Sequence, residues 1–245
     1  MKKLLTISFA LFALNAANAQ TLTSKKGEAY LPEKGDWAIG FNANNLFRYV
    51  GNAFNGNTNN AAPSLTNWVS NSIVGKKFTT ANTAYRVVAN IGFGTETETD
   101  EQSSNTNKYT ESGFDVSLGL GKEWRRGKTR LQGYYGADVL LNVNSSSNKE
   151  TNTNSTSTSF KERKDKDGLG FGIGVNGFLG AEYFIFPKIS IGAQYQYGLT
   201  VSMQGAGELT TTPWTGAATT SKGSRTSSIG LGNVGVASMN LTLHF

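Results

Sequence analysis

The chain has 245 residues, a formal net charge of +6, 11% aromatic residues, 29 glycines and no cysteine. Without a thiol there is no disulfide, no thiolate metal ligand and no cysteine to carry a lipid anchor. No apolar run of about 18 residues follows residue 19, which excludes a membrane-spanning helix there, and no basic stripe interleaved with aromatics points to nucleic acid.

Residues 1–19 carry Lys2 and Lys3, an apolar stretch over 4–14 and then Ala17-Asn18-Ala19. This is the pattern of a cleavable secretory signal, too short to span a bilayer, with Gln20 as the first exported residue. Residues 20–35 are polar and aperiodic and contain Pro32; they read as a periplasmic lead-in. From residue 36 the chain alternates apolar with small or polar side chains, the period of a strand with two different faces.

The first arm sets Trp37, Ile39, Phe41 and Ala43 against Gly40, Asn42 and Asn44. An Asn-rich connection over 47–69 leads to a second arm near 70–79, where the alternation is weak. A tight turn at Thr80–Thr83 enters the third arm, with Tyr85, Val87, Ala89, Ile91 and Phe93 on one face. Residues 96–108 read as a polar loop. The fourth arm shows Phe114, Val116, Leu118, Leu120 and Trp124 outward over Asp115, Ser117, Gly119, Gly121 and Glu123. Arg126-Gly127-Lys128 turns into the fifth arm, where Leu131, Tyr135, Ala137, Val139, Leu141 and Val143 oppose Gln132, Tyr134, Gly136, Asp138 and Asn142. Residues 145–168 are low in complexity and read as a loop too polar to pack. The sixth arm alternates most cleanly, with Leu169, Phe171, Ile173, Val175, Leu179, Ala181 and Tyr183 outward over Gly170, Gly172, Gly174, Asn176, Gly180 and Glu182. Phe186-Pro187-Lys188 turns into the seventh arm, a loop covers about 204–226, and the last arm ends on Phe245.

Eight or so arms, joined alternately by short and long connections, predict an all-β, antiparallel up-and-down transmembrane barrel over 36–245. Its apolar face meets lipid and its polar face fills a narrow bore. A negative mean hydropathy of -0.33 is compatible with this, because only one face needs to be apolar. A soluble sandwich or lipocalin-like barrel would expose the glycine-rich face instead, and Trp37, Trp124, Tyr183 and Phe245 would not gather at the ends of the arms. Short turns belong at the periplasmic rim and long connections outside the cell, which puts both termini on the periplasmic side of the cell outer membrane.

The alternating arms, the hairpin GKKFTTANTAYRVVANIGFG at 75–94 and the terminal SMNLTLHF resemble the small outer-membrane β-barrel family of the OmpX and OmpA membrane-domain type. The resemblance covers about 35–245. It implies a barrel-insertion signal carried by Met239, Leu241, Leu243 and Phe245, and hence the barrel-insertion machinery and outer-membrane lipids as partners. Phe245 also reads as an ordinary girdle aromatic. Nothing follows the barrel, so no peptidoglycan-binding domain of the OmpA kind is expected.

Candidate chemistry is sparse. Arg86, Glu123, Arg130 and Glu182 point inward at similar heights on successive arms; they form either a salt-bridge plug, in which paired charges tolerate burial, or a solvated rim. Asp115 and Asp138 on neighbouring arms read as mouth carboxylates in water. His244, the sole histidine, sits at the end opposite the expected outer rim, which excludes a Ser-His-Asp site there. Glu96, Glu98, Asp100 and Glu101 read as solvated loop acids, and GFGIGVNG alternates as a strand, opening no phosphate-binding helix. The expectation is therefore a non-enzymatic barrel with no cofactor and no metal. It is structural, adhesive or an accessory subunit beside other envelope proteins; the alternative is a narrow channel or carrier for a small solute.

Overall fold

A computed structural model describes residues 22–43, 73–102, 105–154, 160–233 and 238–245. The Asn-rich connection expected over 47–69 and the signal segment lie outside these residues. Twelve strands form one sheet: β1 (Trp37–Asn42), β2 (Ile73–Thr80), β3 (Thr83–Gln102), β4 (Asn105–Arg126), β5 (Leu131–Asn152), β6 (Phe160–Lys166), β7 (Gly170–Phe186), β8 (Ile189–Gln204), β9 (Glu208–Pro213), β10 (Thr219–Lys222), β11 (Thr226–Asn233) and β12 (Ser238–His244). Eight of them close into an antiparallel ring, β1-β2-β3-β4-β5-β7-β8-β12 and back to β1. Closure is completed by the chain ends. Trp37 and Phe245 exchange both backbone bonds, at 2.7 and 2.9 Å, so the ring has no free edge there.

Alternation decides which way each strand faces. Tyr85, Val87, Ile91 and Phe93 of β3, Leu118 and Leu120 of β4, and Phe171, Ile173, Val175 and Leu179 of β7 are all exposed on the outside. Their neighbours Ala84, Arg86, Val88, Phe178, Glu182 and Phe184 are buried within the ring. From Tyr85 to Phe93 is eight residues, roughly 20 Å of height at ~3.3 Å per residue and ~40° of tilt, close to the apolar band of an outer-membrane barrel. Trp37, Trp124, Tyr135, Tyr183, Phe186 and Phe245 ring the short-turn end, where aromatic side chains with one polar edge are at home.

Glycine serves the bore as well as the turns. Four bulky inward side chains each lean over a glycine directly opposite on the next strand: Asp138 over Gly121, Phe178 over Gly136, Tyr134 over Gly180 and Asn176 over Gly198. A Cβ at Gly136 would stand 2.4 Å from Phe178 Cζ, and one at Gly121 would stand 1.8 Å from Asp138 Oδ1. These four glycines are therefore seats for neighbours.

Three segments expected to be loops contain strands. β3 and β4 stay paired up to Gln102 and Asn105, β5 continues to Asn152 against β6, and β9 and β10 add to β6. β3, β4 and β5 have 20, 22 and 22 residues, about twice the 9–11 needed to cross a bilayer. The second halves of these strands rise past the barrel as a sheet ordered β3-β4-β5-β6-β9-β10. Low hydrophobicity argued for loops, but Thr and Ser tolerate a pleated surface and a ladder started in the barrel wall continues upward without register shift. The weak second arm is a strand at Ile73–Thr80.

Candidate functional site

Six formally charged side chains meet in the lower bore. Glu123 on β4 is fully buried and takes three cations: Lys76 Nζ at 3.0 Å, Arg86 Nη1 at 2.9 Å and Arg125 Nη1 at 3.3 Å. Arg125 also pairs with Glu182 through Nη2 and donates from Nε to Gln132 Oε1 at 2.9 Å. Arg86 donates to Gln194 Oε1 at 3.1 Å and lies 3.4 Å from Asp138 Oδ1, an ion pair whose angle falls short of a hydrogen bond. Three cations thus meet three carboxylates contributed by β2, β3, β4, β5 and β7. Charges withdrawn from water need such compensation, because removing one partner leaves the others buried and unpaired.

Aromatic faces close the network from the sides. The Arg86 guanidinium lies 3.8 Å from the Phe178 ring centre and Lys76 Nζ lies 5.0 Å from that of Tyr134. Phe78 and Phe184 stand 5.5 and 5.7 Å from the Arg125 guanidinium. A void of about 10 Å³ lies between Lys76, Arg86, Tyr134 and Gln194, room for at most about one water. The network fills the bore.

Of the charges singled out in the sequence, Arg86, Glu123 and Glu182 belong to this network, and Arg130 does not. Arg130 precedes β5 and stacks on Tyr30 of the lead-in, 3.9 Å from its ring centre, donating to its hydroxyl at 2.6 Å. Its expected place is taken by Arg125, which shares the inward parity of Glu123, and by Lys76, hidden in the arm whose alternation was weak. Asp138 is also displaced from the expected solvated mouth. It is 2% exposed, because the register runs Arg86↔Gly121↔Asp138 and strand tilt sets it level with the low end of β3. Asp115 is separate, opposite Asn144, and accepts from Asn90 at 3.2 Å and Asn142 at 2.8 Å.

His244 meets Ser190 Oγ at 3.3 Å and Glu182 Oε1 at 3.5 Å, both through Nε2, with Phe78 and Phe184 against its ring. A nucleophile, base and orienter would use the two ring nitrogens separately. Here Nδ1 has no hydrogen-bond partner and all three residues are buried in the bore. The contact is a buried polar contact through one ring nitrogen.

At the short-turn end the lead-in docks across the ring. Lys188, the one non-glycine with positive φ among the described residues, donates its backbone N–H to Tyr30 O at 3.4 Å and pairs its ammonium with Asp36. Partial burial pushes the Asp36 carboxyl up, but the Lys188 hydrogen bond and charge and the Glu33 N–H at 2.8 Å outweigh it, so it titrates below the ordinary aspartate range. A hollow of about 420 Å³ separates the lead-in, at Leu31 and Pro32, from the turns at Ala81 and Gly127.

On the projecting sheet, register sorts the loop acids. Glu96, Glu98 and Asp100 share the inward face with Glu111 and Glu150, whereas Glu101 lies on the outward face. No group of three His, Cys, Asp or Glu among the described residues is arranged to hold a metal ion. Met239, Leu243 and Phe245 are exposed on the outward face of the last arm, with Leu241 half-buried beside them.

A closed antiparallel ring with an apolar outer belt, aromatic margins and a polar filling defines an integral membrane β-barrel. The family model described as an outer membrane protein beta-barrel domain matches residues 18–204, and the chain belongs to that family: it is an integral outer-membrane barrel protein. No curated protein matches it.

Proposed function

We propose that the protein is a sealed, non-enzymatic outer-membrane barrel whose work is done by the sheet it projects, as a structural, adhesive or accessory component of the cell envelope. The short-turn end with both termini faces the periplasm, and the projecting sheet stands outside the cell. The observation that carries this reading is the filled bore: three buried cations and three carboxylates are mutually paired, and aromatic rings take up the remaining width. A channel needs binding weak enough to release its solute, and this network offers no exchangeable partner. Met239, Leu241, Leu243 and Phe245 serve in this reading as the signal for the barrel-insertion machinery, and other envelope proteins are the partners of the sheet.

Planar-bilayer recording tests the sealed bore. The expected result is no stepwise conductance from the folded protein at neutral pH. Reproducible steps from the intact chain would replace this reading with that of a narrow channel or carrier.

A further inference from the structure

The outward face of the projecting sheet continues the outward face of the barrel wall, because β3, β4 and β5 carry their pairing upward without a register shift. Its side chains can therefore be read row by row from the lipid-facing belt. The last apolar row is Phe93 and Phe114, 75% and 41% exposed, beside Ser145. The next row is Thr95, Ser112, Ser147, Lys166, Glu208 and Lys222, and the one above is Thr97, Thr110, Lys149, Lys164, Thr210 and Thr220. Aromatic rings give way within one residue pair to hydroxyls and then to ammonium groups. That is the order of chemistry met on leaving a bilayer through a headgroup layer that carries negative charge.

The geometry is concave at this transition. The small residues Gly94, Gly113 and Ser146 let a hollow of about 380 Å³ form, bounded by Phe93 and Phe114 below and by Lys166 above. Lys149 is already committed to Glu162 at 3.0 Å on the same face. Lys164 and Lys166 are exposed, and no carboxylate of the described residues lies within ion-pairing distance of either. The opposite face of the same strands is acidic, carrying Glu96, Glu98, Asp100, Glu111 and Glu150, whereas the outward face sets Lys108, Lys149, Lys164, Lys166 and Lys222 against Glu101, Glu162 and Glu208, so the more basic side is the one turned to the membrane.

We propose that this hollow is a binding site for the phosphate-bearing headgroup of a lipid in the leaflet around the long-loop end. Lys164 and Lys166 receive the phosphate, the Thr95 and Ser147 hydroxyls donate to its ester oxygens, and acyl chains lie along Phe93 and Phe114. Charge complementarity and continuity with the lipid-facing belt commit the site to a membrane lipid over a free anion.

The chain lacks cysteine, so Thr97→Cys can carry one environment-sensitive fluorophore beside the site. The labelled protein is refolded into phosphatidylcholine vesicles with increasing phosphatidic acid, and folding is confirmed by the heat-dependent gel shift of a closed barrel. The expected result is a saturating emission change whose apparent affinity falls about fivefold for Lys164→Gln and again for Lys166→Gln, the usual worth of one juxtamembrane lysine. Lys166→Arg retains it, and Lys128→Gln at the opposite end leaves it unchanged. An equal response in the lysine variants overturns the proposal. So does a matching response to inorganic phosphate without anionic lipid, which marks a free-anion site, or to an anionic lipid lacking phosphate. Impermeant maleimide labelling of Lys222→Cys in intact cells reports separately which leaflet is involved, so a wrong orientation is distinguishable from an absent site.

Discussion

The bore and the projecting sheet share the strands β3, β4 and β5, yet they treat charge in opposite ways. In the bore, Glu123, Glu182, Asp138, Lys76, Arg86 and Arg125 are buried and share partners. On the sheet, Glu96 stands directly opposite Glu111, a like-charge pair that only water makes tolerable. The alternation of period two is common to both halves. In the lower half it sorts lipid from polar filling; in the upper half it sorts a more basic face from an acidic one. One local rule yields two surfaces because the surroundings change at the row of Phe93 and Phe114.

The largest effect expected from breaking this contrast comes from Glu123. Glu123→Ala leaves three cations around a vacated position in a bore with little room for water, and removing one partner of a buried ionic group costs about 3–5 kcal/mol. Glu98→Ala on the sheet removes an exposed carboxylate and changes stability by no more than about 0.5 kcal/mol. Equilibrium urea unfolding in lipid vesicles measures both. Similar losses for the two variants would mean that the bore is wet and its charges are ordinary surface charges.

How much of this contrast was legible in the sequence follows from the same rule. Parity alone placed Arg86, Glu123 and Glu182 inside the ring, and it carries Arg125 with them, two residues beyond Glu123. Arg125 adjoins the turn at Arg126, where the sequence alone does not separate a bore residue from a rim residue. Lys76 was illegible because its arm, with Gly75, Lys77 and Thr79 around it, lacks the contrast that reveals a face. The height of Asp138 was not a local property at all: tilt and register across three strands fix it, and no single arm contains that information. The sheet is illegible for a different reason. Segments such as 145–152 have no apolar face to bury, so nothing in them signals a strand; their neighbours in the barrel hold them in one.

A smaller effect sharpens the reading of glycine. Gly136→Ala places a methyl group 2.1 Å from Lys122 O and 2.4 Å from Phe178 Cζ. The backbone carbonyl cannot yield freely, so the cost is about 1–3 kcal/mol, the range for overpacking. Gly94→Ala, higher on the wall, meets nothing within 4 Å and is expected to be neutral or to gain up to about 1 kcal/mol by restricting the unfolded chain. The same unfolding experiment compares them. If Gly136→Ala were as harmless as Gly94→Ala, the bore would have slack around Phe178, and the closed reading of the lumen would weaken with it.

The smallest effect concerns the charges outside both regions, at the lead-in. Asp36 is partly exposed and its pair with Lys188 is open to solvent screening, so its contribution stays below about 1 kcal/mol. Its sign is definite. Burial alone would raise the carboxyl, but the Lys188 ammonium and the Glu33 N–H hold it below the ordinary range. Its stabilisation is therefore present above the unfolded aspartate pKa of about 4 and is lost as pH falls through the lower folded value. The lead-in should stay docked at neutral pH and loosen in acid, opening the hollow beside Pro32 to solvent. Proteolysis after Lys34, followed from neutral pH downward with an acid-active protease, measures this. Asp36→Asn should show the loosened state already at neutral pH and lose this part of the pH dependence. A variant that cleaves like the wild type at every pH would show that Tyr30, stacked on Arg130, holds the lead-in without help from the ion pair.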